Sequence, residues 1–147
     1  MNVLLFKERP MDDLEPLIQE SLAQGFDFVE RLAAEYAEGS NRFDCPGEAL
    51  YGVYSGQSLI AVGGLNRDPY LPDGETGRVR HVYVLSAWRR RGAGSLLVRR
   101  IVEEARPHYR RLTLRTLNPE ADRFYRALGF RTKPPVPHAT HHLLLSE

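Results

Sequence analysis

Apolar positions recur every second residue in some stretches of this chain and every third or fourth in others, and these two periods lay out its elements. Residues 3–6 predict a short first strand, ended by Arg9-Pro10. Beyond Asp12 and Asp13, either of which can cap a helix, Leu14, Leu17, Ile18 and Leu22 share one helical face, and Gly25 is the stop. Phe28, Val29, Leu32, Ala33 and Tyr36 predict a second helix over residues 26–38, ended by Gly39. Residues 49–54 and 58–65, joined by Ser55-Gly56-Gln57, predict a hairpin, and the stretch 66–77, rich in Pro, Gly and Asp, predicts a loop. Val79, Val82, Tyr83 and Val84 favour a strand; Leu96, Leu97, Val98 and Ile101 then recur at helical spacing to about Ala105, closed by Pro107. Residues 111–117 alternate as a strand. Asn118-Pro119 opens a further helix with a cap and a first-turn proline, Gly129 stops it, and residues 140–145 predict a last strand.

The length of 147 residues, 42% hydrophobic and 27% charged, fits one globular domain over residues 1–147. A lone Cys45 rules out an intramolecular disulfide and gives no sign of an oxidising compartment. No apolar run reaches membrane-spanning length and the N-terminus has no signal-like lead, so a cytoplasmic location is expected, without membrane partners. The net charge of +1 conceals segregation. Residues 1–77 carry 5 Lys and Arg against 14 Asp and Glu, whereas residues 78–111 carry 10 against 2. A basic block of that size suits a polyanionic ligand, and the acidic half either attracts a cationic amine or is simply solvated helix surface.

Strand period gives way to helix period between Arg89 and Gly94. Gly92 and Gly94 bring main-chain N–H groups within reach of a ligand, and the helix that follows aims its unsatisfied N–H groups the same way. Such a turn is built for an anion, and arginine at 89, 90 and 91 suits phosphate. A nucleotide P-loop would need a lysine that Gly94-Ser95 lacks, and a dinucleotide fingerprint would need glycine where Leu97 stands. His141 and His142 point to opposite faces of a strand, so they and His138 make no shared metal site, and none is expected. The acidic remainder and the lack of a recognised module argue against nucleic acid.

Arg89-x-x-Gly92-x-Gly94 after a strand resembles the R/Q-x-x-G-x-G/A acyl-CoA signature of the GNAT superfamily of N-acyltransferases. Asn118-x-x-Ala121-x-x-Phe124-Tyr125-x-x-x-Gly129-Phe130 resembles the closing strand-to-helix motif of the same family. The resemblance is specific over about the second half of the chain and architectural before it. It implies an α/β, GNAT-like fold, a mixed twisted sheet of six or seven strands flanked by about four helices. It further implies acetyl-CoA as donor and direct acetyl transfer to the primary amine of a small molecule or amino-acid-like acceptor. A silent acyl-CoA-binding regulatory module and an acetyltransferase of protein tails are the alternatives, and a homodimer is left open because many relatives pair through terminal strands.

The resemblance also carries roles to residues. Arg89, Arg90, Arg91, Gly92, Ala93, Gly94 and Ser95 would hold the CoA pyrophosphate. Main-chain groups of Val82, Tyr83 and Val84 would hold the pantetheine arm and thioester carbonyl, helped by splaying of the 111–117 strand. Asn118 would contact CoA, cap its helix, or both. Tyr125 would donate to the leaving thiolate, for which a phenol is a reasonable acid; packing beside Phe124, Leu128 and Phe130 is its plain alternative. The first two helices would wall the acceptor pocket, with Phe26, Asp27, Glu30 and Glu35 as candidates by position. Where many members carry a glutamate as general base this chain has Arg78, with Arg80 on the same face, and neither accepts a proton at neutral pH. Glu75 in the preceding loop is therefore the candidate base. His81 has a suitable pKa but is expected to face the other way in a core role, and a water chain could serve instead. If Arg78 and Arg80 face the acceptor, they favour a carboxylate beside its amine.

Overall fold

The computed structural model describes residues 1–6 and 11–145, so the strand end expected at Arg9-Pro10 lies outside the described residues. Six strands lie in the sheet in the order of the chain: β1 (Asn2–Leu5), β2 (Ala49–Ser55), β3 (Ser58–Arg67), β4 (Thr76–Val84), β5 (Arg111–Leu114) and β6 (His141–Leu144). All neighbours are antiparallel except β4 and β5, which are parallel and therefore need a crossover. That crossover is α3 (Ala93–Ala105); α1 (Glu15–Ala23) and α2 (Phe28–Glu38) connect β1 to β2, and α4 (Pro119–Ala127) precedes β6.

Helices on both faces explain why β2 and β3 are buried almost throughout rather than alternating. One core layer packs α3 on the sheet through Leu97, Val98 and Ile101 against Tyr51, Val53 and Leu65. The other packs Leu14, just before α1, with Leu17 of α1 and Val29 and Leu32 of α2 against Leu50, Tyr54 and Leu59. At Gly63 α3 approaches the sheet closely: a Cβ there would meet Leu97 of α3 and Val82 of β4 at 3.0 Å.

Local signals held where the chemistry is local. Asn118 accepts from the main-chain N–H of Glu120 at 2.8 Å and of Ala121 at 3.4 Å, with Pro119 in the first turn. Gly39 ends α2 at φ +85°. The start of α1 differs from expectation. Neither Asp12 nor Asp13 caps it: a 3-10 turn at Met11–Leu14 leads in instead, and Asp13 accepts the Tyr54 hydroxyl at 2.8 Å. The strand expected over residues 111–117 ends at Leu114, because Thr116 N–H turns to the Thr140 hydroxyl at 2.9 Å and leaves the ladder.

Candidate active site

The site begins with a split in the sheet. β4 pairs with β5 only from Thr76 to Arg78, opposite Arg111 to Thr113, yet runs on to Val84. From Val79 onward β4 has no β5 partner, and its main-chain edge on that side is open as far as the Val84 carbonyl, which accepts from Arg89. On its β3 side the register jumps, with Val62 opposite Tyr83 but Gly64 opposite Arg80. Two residues, His81 and Val82, thus stand against the single Gly63, and His81 takes φ +59°. This β-bulge resets the alternation of side chains. His81 therefore does not face away from Arg80 as strict alternation predicts. Its ring lies 6.5 Å from Phe28 and 6.4 Å from Phe43, on the α2 side. Burial lowers its pKa to about 4, with the positive charges of Arg80 and Arg31 acting in the same direction, and its Nε2 has no hydrogen-bond partner among the described residues.

At its far end β4 leads through a 3-10 turn, Ser86–Trp88, into the glycine turn. Arg90 (φ +62°) and Gly92 (φ +90°) are both left-handed there, and Gly92 is the N-cap of α3 without a side-chain bond to the helix. The first N–H groups of α3 face outward without intrahelical acceptors, in a hollow of the kind that holds anions. Gly94 serves closeness instead: a Cβ there would lie 3.2 Å from the Phe124 ring of α4.

The three arginines of this turn differ in use. Arg89 donates through Nε to the Val84 carbonyl at 3.0 Å and through Nη2 to Gln24 at 3.3 Å, and lies 5.4 Å from the Tyr83 ring. It ties the turn to α1. Arg91 lies 5.4 Å from the Trp88 ring. Arg90 alone is without such a tie among the described residues. Glu20 reinforces the tie, accepting the Tyr83 hydroxyl at 2.5 Å, the Ser86 hydroxyl at 2.7 Å and the Ser86 N–H at 3.0 Å. Burial alone would raise the Glu20 carboxyl, but these hydrogen bonds and the Arg89 charge hold it below its ordinary value. Burial, and then Glu20, pushes the Tyr83 phenol up.

Two cavities meet across this region. A donor-side cavity of about 600 Å³ runs from Val82, Tyr83 and Val84 past Arg90 and Gly92 to Asn118. A second, of about 410 Å³, lies between α2, β4 and the end of β5. Phe28, Val82, Thr116, Ala121 and Tyr125 line both. Tyr125 stands at the junction, only 6% exposed, its ring held by Phe124 at 5.0 Å and Phe130 at 5.5 Å. Its hydroxyl makes no hydrogen bond among the described residues, and burial pushes its pKa up.

Of the residues singled out in the sequence, Val82, Tyr83, Val84, Arg89, Arg90, Gly92, Gly94, Ser95, Asn118 and Tyr125 line the donor-side cavity, and Arg78 and Arg80 the second; Phe26, expected at the acceptor wall, lines the donor-side cavity instead, because it precedes α2 beside the end of α1. Arg91, the buried Ala93 and Glu75 line neither. Glu75 sits before the first residue of β4, beyond the paired end of the strand, with its carboxylate 3.5 Å from Arg110. Some seven residues of extended chain, about 23 Å, separate it from Val82, too far for a base acting there. Glu30 and Glu35 line neither cavity, and Asp27 pairs with Arg31 at 3.3 Å. Arg78 is present but engaged. It is 3.4 Å from Asp68, donates to the His138 carbonyl at 2.9 Å and lies 5.0 Å from the Tyr70 ring, while Asp68 also accepts the Thr113 hydroxyl at 2.5 Å. The sequence reading missed Glu20, Gln24, Arg31, Asp68 and Arg115. Only the spacing of Glu20 and Gln24 on one face of α1 was a visible signal. Among the described residues no three His, Cys, Asp or Glu cluster to hold a metal ion, and no helix is long and apolar enough to cross a membrane.

The chain matches no curated protein. Its fold has many solved counterparts. A candidate acetyltransferase from Exiguobacterium sp. 255-15 is 33% identical over 98% of this chain and 94% of its own, with a TM-score of 0.80. The yncA protein of Salmonella typhimurium, solved with its cofactor acetyl-CoA, is 17% identical over 99% and 94%, with a TM-score of 0.70. An aminoglycoside 6'-N-acetyltransferase complexed with coenzyme A is 14% identical over 100% and 98%, with a TM-score of 0.73. At such identities the last two speak for the fold alone. Residues 14–130 match the family model described as the acetyltransferase (GNAT) family, and the split sheet, glycine turn and Tyr125 helix all fall within that span. The chain belongs to the GNAT family of acetyltransferases.

Proposed function

We propose that the protein is an N-acetyltransferase that moves the acetyl group of acetyl-CoA to the primary amine of a small-molecule acceptor by direct attack. The observation that carries this reading is the meeting of the two cavities at an unbonded, buried phenol beside an open strand edge. The donor-side residues fit a pantetheine-bearing nucleotide. The orphan N–H groups at the start of α3, with Arg90 and Arg123 nearby, suit a diphosphate, and the free edge of β4 presents peptide groups to an amide-containing arm. Acetyl-CoA is the donor co-substrate; when bound it supplies an acyl group already activated as a thioester.

Balanced over the reaction, an amide C–N bond forms, the thioester C–S bond breaks, one ammonium proton is lost to water and a second ends on the thiol. Main-chain groups of β4 near Val82 and Val84 orient the thioester, and the rigid ring of Tyr125 holds a proton at Oη for the departing sulfur. Its raised pKa keeps that proton in place at neutral pH. The second cavity has no carboxylate among its described lining residues, so the first proton passes to water and not to Glu75.

The test measures free thiol release by the intact protein with acetyl-CoA and a panel of amines, amino acids and lysine peptides, alongside calorimetric titration with CoA. Release with free amines, sharply reduced in Tyr125→Phe, is the expected result. CoA binding without release from any amine would instead make the protein a silent acyl-CoA sensor, and release with lysine peptides alone would make it a protein acetyltransferase.

A further inference from the structure

The second cavity is the acceptor's place if the protein is an acetyltransferase, so the nature of its ligand rests on that function. Four arginines line it: Arg31 from α2, Arg78 and Arg80 from β4, and Arg115 just past β5. No Asp or Glu is among its described lining residues. Arg78 is neutralised by the buried Asp68, and Arg31 is partnered by Asp27. Arg80, half-buried, and Arg115, exposed at the rim, have neither ion pair nor hydrogen bond among the described residues, and only Arg80 is drawn out of water. A guanidinium drawn partly out of water without a counter-ion is costly, unless an anion joins it there.

We propose that this cavity selects primary amines that also carry an anionic oxygen group, a carboxylate or a phosphate, bound between Arg80 and Arg115. Both arginines present planar forks that match such groups with paired hydrogen bonds. Arg80 stands two positions before Val82 across the bulge, at most about 7 Å of chain, so the anion and the amine at the junction are separated by only a few bonds. Short amino acids and aminoalkyl phosphates have that span, and diamines are repelled. The same charges disfavour an ammonium beside them, so the acceptor gives its proton to water more readily in a cavity that lacks a carboxylate to take it.

The experiment compares matched pairs in thiol release: an amino acid and its carboxamide, and aminoethyl phosphate and ethanolamine. We expect kcat/KM at least tenfold higher for the anionic member, with the pair showing the larger ratio telling carboxylate from phosphate. In Arg80→Met that ratio falls below threefold through a rise in KM for the anionic member, and Arg80→Lys restores part of it. A second arm needs no turnover: calorimetric titration of the CoA-saturated protein with an N-acetyl amino acid, its amide, and inorganic phosphate. Equal rates and equal affinities for acid and amide in the unmodified protein, or a preference for diamines, would overturn the anion subsite while leaving acetyl transfer intact. Anion-selective binding that Arg80→Met abolishes, with no thiol release from any amine, would uphold the subsite and reject the transferase reading.

Discussion

The two cavities that meet at Tyr125 are made of different material. The donor side is main chain: the unpaired edge of β4, a turn with two left-handed residues and the first N–H groups of α3. Its side chains mostly brace that backbone, as Arg89 does at the Val84 carbonyl. The second cavity is walled by side chains, with four guanidiniums arriving from α2, β4 and the segment just past β5. A cradle of peptide groups depends on where glycine is permitted, whereas a wall of charged side chains depends on which of them has already found a partner.

The largest effect should come from breaking that second rule at Arg78. Both members of its pair with Asp68 are buried, so Asp68→Ala strands a guanidinium in the core and leaves the Thr113 hydroxyl only its longer bond to the Gly77 carbonyl, at 3.3 Å. Loss of one partner of a buried pair costs about 3–5 kcal/mol. Chemical denaturation should show a fall of that order, while Arg80→Met, which breaks no pair, should stay within about 0.5 kcal/mol. Equal losses in the two variants would mean that Arg80 is as structural as Arg78. Next comes Tyr125→Phe. Because its hydroxyl bonds nothing among the described residues, thermal stability should barely move, while kcat falls by roughly 10²–10³ as expected for a lost general acid. A large drop in Tm with unchanged kcat would return Tyr125 to a packing role.

How far the sequence foretold each side obeys the same division. The cap at Asn118 and the stop at Gly39 could be read directly because each is settled within four or five residues. The glycine turn was legible for the same reason, although not the fact that Arg89 braces the strand and Arg91 stacks on Trp88. The second cavity was legible only in part: Arg78 and Arg80 share a face as their spacing predicts and both line it. Its faces depend on the bulge at His81, which is set by the register against Gly63 and not by any glycine or proline in β4 itself. The partner that neutralises Arg78 lies ten residues earlier, just past the end of β3, and nothing in the spacing joins them. Glu75 looked close to the site in sequence, yet an extended strand carries neighbours apart faster than any other element.

His81 offers a smaller, pH-dependent view of the same wall. Its ordinary pKa is near 6.5, which the unfolded chain should retain, and in the folded protein it is lowered to about 4. Between those values the unfolded state binds the extra proton, so stability is fully present above about pH 6.5 and lost as pH falls toward 4. By pH 5 the loss attributable to this ring is about 2 kcal/mol. Arg80 and Arg31 face it with positive charge, so neither relieves the protonated form. In His81→Asn, a residue that tolerates positive φ, the decline between pH 7 and pH 5 should shrink by that amount in denaturation curves. An unchanged decline would show that other groups set the acid limit.

The finest test separates the two glycines of the donor turn. Gly92 has open space around its missing Cβ but sits at φ +90°, so Gly92→Ala meets only backbone strain, a cost of about 1 kcal/mol. Gly94 lies inside α3 without a positive φ, where alanine gains up to about 1 kcal/mol in helix propensity. Its new methyl, however, would press the Phe124 ring at 3.2 Å, so the two effects nearly cancel in stability. They do not cancel in function, because Phe124 also lines the donor-side cavity and a displaced ring narrows it. Gly94→Ala should therefore leave Tm within a degree or two while raising KM for acetyl-CoA about threefold, and Gly92→Ala should lower Tm with a smaller change in KM. If Gly94→Ala instead destabilises and leaves KM alone, the close approach of α3 and α4 is a matter of packing, and the cavity takes its shape from the turn alone.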